Sequence, residues 1–260
     1  MPSAEINDFR IHYERGGSGP PLVLLHGITG NARSWQHQLQ DLAASYDVVA
    51  WDMRGYGSSS DPIGSYTLAD VAEDLAGLLG HLGFARAALG GHAMGGVLAL
   101  EFYGRYPAQV QALILADTNA GHAELVAEDR AARAPAATAE AAVLRPATPA
   151  LLSLDAPPEV LQEAEHILAE IHPDGYRYAA HALAEADERE VLPRVKVPTL
   201  VLWGELDEVT SRQDAQYLAD RISGARFESI PHAGHLSNLE QPEAFNAAVR
   251  RFLAKLANSA

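Results

Sequence analysis

Apolar and polar positions along the chain fall into two alternating patterns. Pro21 to Leu25, Val48 to Trp51, Ala87 to Gly90, Val110 to Ala116 and Pro198 to Trp203 are short, nearly continuous apolar runs. Runs of that length are what strands buried on both faces require. Arg226 to Ile230 reads as one more strand, and Phe9 to Arg15 alternates as a half-buried strand does. Between these runs the spacing becomes helical. Thr67 reads as an N-cap, with Leu68, Val71, Leu75, Leu78, Leu79 and Leu82 following on one face. A helix after Gly90 runs through Leu98 and Phe102 and stops near Pro107, and Pro242 to Leu256 is amphipathic. Strands alternating with helices predict an α/β fold with a parallel sheet covered on both sides. Ligands of such sheets sit at the carboxyl ends of the strands.

From about residue 119 to 193 the pattern changes. Ala and Glu dominate, prolines interrupt, and only helical stretches stand out, Val160 to Ile171 and Tyr176 to Asp187. The strand pattern then resumes. The segment 119–193 therefore reads as a helical cap, or lid, inserted into a core made of 1–118 and 194–260. The Ala-rich stretch Ala131 to Ala142 falls within it.

Composition narrows the partners. A chain of 260 residues is long enough for one large domain with an insertion. A net charge of −15 repels phosphate backbones and anionic lipid, so neither nucleic acid nor a membrane is an expected partner. There is no Cys, hence no disulfide framework or thiolate metal site, and the eleven His are too scattered to form a metal set. Met1-Pro2-Ser3-Ala4-Glu5 does not open as a signal peptide does, and the expected location is cytoplasmic.

The candidate chemistry gathers at the predicted strand ends. Gly91-His92-Ala93-Met94-Gly95 has the frame of a nucleophile elbow, G-x-S-x-G, with Ala93 where the Ser belongs. His235, in the loop after the last strand, suits a general base. Two acids end strands on the same edge. Asp207 keeps the chain order nucleophile, acid, His, and is favoured over Asp117. An oxyanion hole needs two converging N–H groups, expected from Met94 and from Ile28 in the loop His26-Gly27-Ile28. His26 is expected to fix that loop rather than to react, and Arg54 to serve its own turn. Gly27, Trp35, Leu144, Leu152 and Tyr176 are candidates for the substrate pocket, and core packing explains the large ones equally well.

These motifs, together with Asp52-Met53-Arg54-Gly55-Tyr56-Gly57-Ser58, Gly204-Glu205-Leu206-Asp207 and Ala233-Gly234-His235, resemble the α/β-hydrolase superfamily. The likeness lies in its esterase and 3-oxoadipate enol-lactonase branch. It implies an eight-stranded, mostly parallel sheet, a triad under the cap, a small-molecule ester or lactone substrate, and no cofactor or metal. Carbon–carbon bond hydrolysis also belongs to this branch. Ala93 is the departure. It admits an inactive Ser→Ala variant of a serine hydrolase, a natural lyase or decarboxylase that uses His235 alone, or a ligand-binding pseudoenzyme. The first is favoured, because loss of function by drift would relax the other site positions together.

Overall fold

The computed structural model describes residues 2–121, 148 and 150–257. Eight strands form one sheet: β1 (Ser3–Ile6), β2 (Phe9–Gly16), β3 (Pro21–Leu25), β4 (Asp47–Trp51), β5 (Ala87–His92), β6 (Val110–Ala116), β7 (Thr199–Gly204) and β8 (Arg226–Ile230). Their spatial order is β1-β2-β4-β3-β5-β6-β7-β8. The pairs β1–β2 and β2–β4 are antiparallel and all others parallel.

The apolar runs are explained by two-sided burial. Val23, Leu25, Val49, Leu89, Leu113, Leu115 and Val201 pack on one face, where α2 (Leu68–Leu82) and α3 (Met94–Arg105) lie. Their sequence neighbours Leu22, Leu24, Val48, Ala50, Ile114, Leu200 and Leu202 pack on the other, against α1 (Gln36–Leu42) and α8 (Pro242–Ala257). With successive residues pointing to opposite faces, both faces of the central positions call for apolar side chains.

Between β6 and β7 the described residues hold α4 (Pro158–Leu168) and α5 (Pro173–Glu185). Both begin before the predicted boundaries, because Pro158 and Pro173 open them at the first turn, where a missing N–H costs nothing. Isolated bridges Tyr56–Ile171 and Gly121–Asp187 tie this segment to the core and to itself. The core is completed by α6 (Arg212–Arg221) and the one-turn α7 (Ser237–Glu240).

Thr67 caps α2 as expected. Its hydroxyl accepts from Asp70 N–H, the Asp70 carboxylate accepts from Thr67 N–H, and Gly83 closes the helix at φ 74°. Three elements carry no clear signal in the pattern. β1 has only two buried positions, α1 buries only Gln38 and Leu42, and α6 buries only Ala215 and Leu218.

Candidate active site

Ala93 stands between β5 and α3 with φ 49° and ψ −118°. A non-glycine residue rarely adopts positive φ, and here the sharp turn is imposed from both sides. A Cβ on Gly91 would lie 2.2 Å from Gly95 O, and one on Gly95 would lie 2.1 Å from Leu25 O. Helix and strand can approach this closely only without side chains. The Ala93 peptide is then pinned. Its N–H donates to Ala116 O (3.0 Å), and its carbonyl accepts from Thr118 Oγ1 (2.6 Å).

Beside the elbow lies a histidine–carboxylate pair. His235 Nδ1–H donates to Asp207 Oδ2 (2.9 Å), and both residues are buried. The carboxylate can only accept, so Nδ1 carries a hydrogen. Asp207 also accepts from Val209 N–H (2.7 Å), Thr210 N–H (3.0 Å) and the Thr210 hydroxyl. Burial pushes its pKa up, but the bond and charge of His235 and the bonds from Thr210 outweigh burial and hold it below the usual carboxylate range.

His92, the residue before Ala93, joins the two parts. Its Nε2–H donates to His235 O (2.7 Å), and the two rings lie 4.9 Å apart. Burial, reinforced by the nearby His235, lowers its pKa to about 3, so it is neutral. The loop Gly27-Ile28 closes the third side. A Cβ on Gly27 would come within 2.9 Å of His92 Nδ1 and 3.2 Å of Ala93 Cβ. Among the described residues, neither Met94 N–H, at the start of α3, nor Ile28 N–H meets an acceptor. His26 fixes this loop. Met53 N–H donates to its Nε2 (3.1 Å), so Nδ1 carries the hydrogen and donates to Gly27 O (2.8 Å).

The other sequence candidates fall as follows. Asp117 is fully buried, but its carboxyl accepts from Gly204 N–H (2.6 Å) and the Ser237 hydroxyl, not from His235. Burial raises its pKa to about 7. Arg54 is bound to Asp74 (2.6 Å) and stacks 4.0 Å from the Phe9 ring centroid. Trp35 is buried between His92 and Phe245, with ring centroids 6.5 and 6.0 Å away. It borders a small cavity with His26, Thr29, His92, Leu151 and Leu236. Leu152 packs with Ala164, Ile167, Leu236 and Leu239, and Tyr176 joins the main core. Leu144 and the Ala131–Ala142 stretch lie outside the described residues. Among the described residues, no three metal-binding side chains cluster, and no helix is long and apolar enough to cross a membrane.

Sequence reasoning missed Thr118, Thr210, Ser237, Ser153 and Glu240, which hold the elbow and the two loops. Each is a lone polar residue in a loop or at a helix end, a pattern that also describes ordinary solvated surface.

A single sheet of this order, with an elbow after the fifth strand and an acid–histidine pair at the ends of the last two, defines a class of hydrolases. The sequence profile of the alpha/beta hydrolase family matches residues 22–248, and the chain belongs to that family. It is 33% identical to 3-oxoadipate enol-lactonase 2 of Acinetobacter baylyi, over 95% of this chain and 94% of that one. Among solved structures, the enol-lactonase of Burkholderia xenovorans superposes with a TM-score of 0.90 at 30% identity, covering 97% of this chain and all (100%) of the other. A thermophilic esterase from Thermogutta terrifontis gives 0.88 at 32%, covering 95% and 94%.

Proposed function

We propose that this chain carries the site of a carboxylic ester or lactone hydrolase that works through a Ser-His-Asp acyl-enzyme, with Ala93 standing where the nucleophilic serine belongs. One observation carries the reading. The Asp207–His235 pair is joined through Nδ1, beside an elbow whose backbone is held at positive φ. A protein that only binds a ligand has no use for either.

With a serine at the elbow, its hydroxyl would attack the ester or lactone carbonyl while His235 Nε2 takes the proton. Asp207 would hold the ring tautomer and balance the imidazolium. The N–H groups of Met94 and Ile28 would receive the oxyanion. Collapse would expel the alcohol, protonated by His235, and water would repeat the cycle to release the acid. Residues 119–193 would act as the cap, with Leu152 and Tyr176 on its described part.

The test is the variant Ala93→Ser, assayed on short aryl esters and lactones. A gain in kcat on the order of a million-fold is expected, because a nucleophile restored to an intact unit recovers the whole unit's contribution. Adding His235→Ala should abolish the gain. No gain in a folded Ala93→Ser protein overturns the proposal.

A further inference from the structure

Glu240 ends α7 and is 5% exposed. Its carboxyl group gathers donors from two separate segments. Gly234 N–H donates to Oε2 (3.0 Å). Ser153 N–H lies 3.2 Å from Oε1 and 3.1 Å from Oε2, and the Ser153 hydroxyl donates to Oε1. On the other side of His235, Leu236 N–H donates to Leu151 O (3.1 Å). Both chain neighbours of His235 are therefore tied to the stretch 151–153. The approach is close, since a Cβ on Gly234 would lie 2.6 Å from Ser153 N and 2.7 Å from the Leu152 carbonyl carbon. Leu152, Leu236 and Leu239 complete the joint by packing with Ala164 and Ile167 of α4.

A carboxyl group is an expensive choice for such a place. Burying it among neutral donors carries a desolvation cost that an apolar side chain of similar size would avoid. What the carboxyl provides, and an apolar group would not, is a fixed position for Gly234 N–H relative to the Ser153 segment. We infer that Glu240 is a positioning residue: through Gly234 it sets the loop that carries His235, and through Ser153 it makes that setting depend on how the α4 segment is docked. The cap edge at residues 151–168 and the proposed base then move as one body. In its activity arm the inference rests on the proposed hydrolase reading; in its structural arm it does not.

Two variants test it. Glu240→Gln keeps the shape but turns an NH₂ group toward N–H donors, so at least one bond is lost. Ser153→Ala removes only the hydroxyl. In the Ala93 protein as it stands, amide hydrogen exchange is measured residue by residue alongside thermal unfolding. Exchange at Gly234, His235 and Leu236 should quicken by about 10-fold in both variants, the size expected for one lost hydrogen bond, while amides of β5 and β6 keep their rates. In the Ala93→Ser background, kcat should fall by roughly 10- to 100-fold with KM nearly unchanged, as for a misplaced base. Unchanged exchange at 234–236 overturns the inference. So does exchange that rises equally throughout the sheet, or an unaltered kcat in an active background. Should Ala93→Ser itself be inactive, the hydrolase reading fails and the exchange comparison alone decides the role of Glu240. Should Glu240→Gln not fold, Ser153→Ala carries both arms.

Discussion

A methyl side chain at φ 49°, ψ −118° sits in a region that costs on the order of 1–3 kcal/mol. The rest of the molecule holds Ala93 there through Ala116 O, Thr118 and the two crowded glycines. Its neighbours are held as firmly and in defined protonation states. His92 is neutral and donates from Nε2, His26 is neutral and donates from Nδ1, and His235 donates to Asp207. Three histidines thus stand within one site, and only the last faces an ionised acid along its ring hydrogen. Asp207→Asn, made together with Ala93→Ser, should lower kcat by about 10,000-fold, because an amide donor opposite Nδ1 favours the wrong tautomer. Thermal stability should change far less, and a steady-state assay beside a melting curve separates the two. At this scale the sequence was readable where chain order helps. His235, Asp207 and the place of Ala93 follow from their order and spacing. Ser237 and Glu240 do not, because only the folded chain shows that they face Asp117 and Gly234.

Among the elements, legibility follows burial. The central strands are apolar on both faces and stand out, whereas β1 reads Ser-Ala-Glu-Ile and pairs only with β2 at the sheet edge. The turn between them, Asn7-Asp8, has both residues at positive φ, as a two-residue hairpin needs. Polar helices such as α6, Arg-Gln-Asp-Ala-Gln-Tyr-Leu-Ala-Asp-Arg, are stabilised by a capping box at Ser211 and two buried side chains, too few for a periodic stripe. Capping also makes a prediction for α2. Thr67→Ala removes the side-chain acceptor for Asp70 N–H and should cost about 1 kcal/mol in urea unfolding. The slope of the transition should stay constant, since the surface exposed on unfolding is the same.

For the whole molecule, buried titrating groups set the pH response. Burial raises Asp117 to about 7, and burial together with Glu101 raises Glu188 to about 8. Each keeps its proton in the folded state while the unfolded chain has released it, so their stabilising effect is full below about pH 4 and is lost as pH rises through 7 and 8. His92 works the other way. Its folded value of about 3 lies below the ordinary 6.5, so stability is lost as pH falls from 6.5 toward 3. Burial lowers His26 as well, so between pH 4.5 and 6.5 the two protons retained by the acids are set against those missing from two histidines. The two sets oppose each other there, and above 6.5, where both histidines are neutral folded or unfolded, only the acids' loss of stability remains. The net charge of −15 pushes in the same direction through self-repulsion. Urea midpoints should therefore fall between pH 6.5 and pH 8. The double variant Asp117→Asn, Glu188→Gln should flatten that slope, and a midpoint that rises with pH would contradict it.

The bridge between Gly121 and Asp187 has a consequence for how this protein can change over generations. The chain leaves the sheet after β6 and comes back beside its own point of departure, so the excursion is closed at its root. The closing entropy of such a loop grows only with the logarithm of its length, about 0.6 kcal/mol for each doubling. Helices can thus be added, shortened or exchanged beyond the bridge at little thermodynamic cost, while β6 and β7 keep their register. The part of the molecule that would choose the substrate is free to vary on a foundation that does not have to be rebuilt.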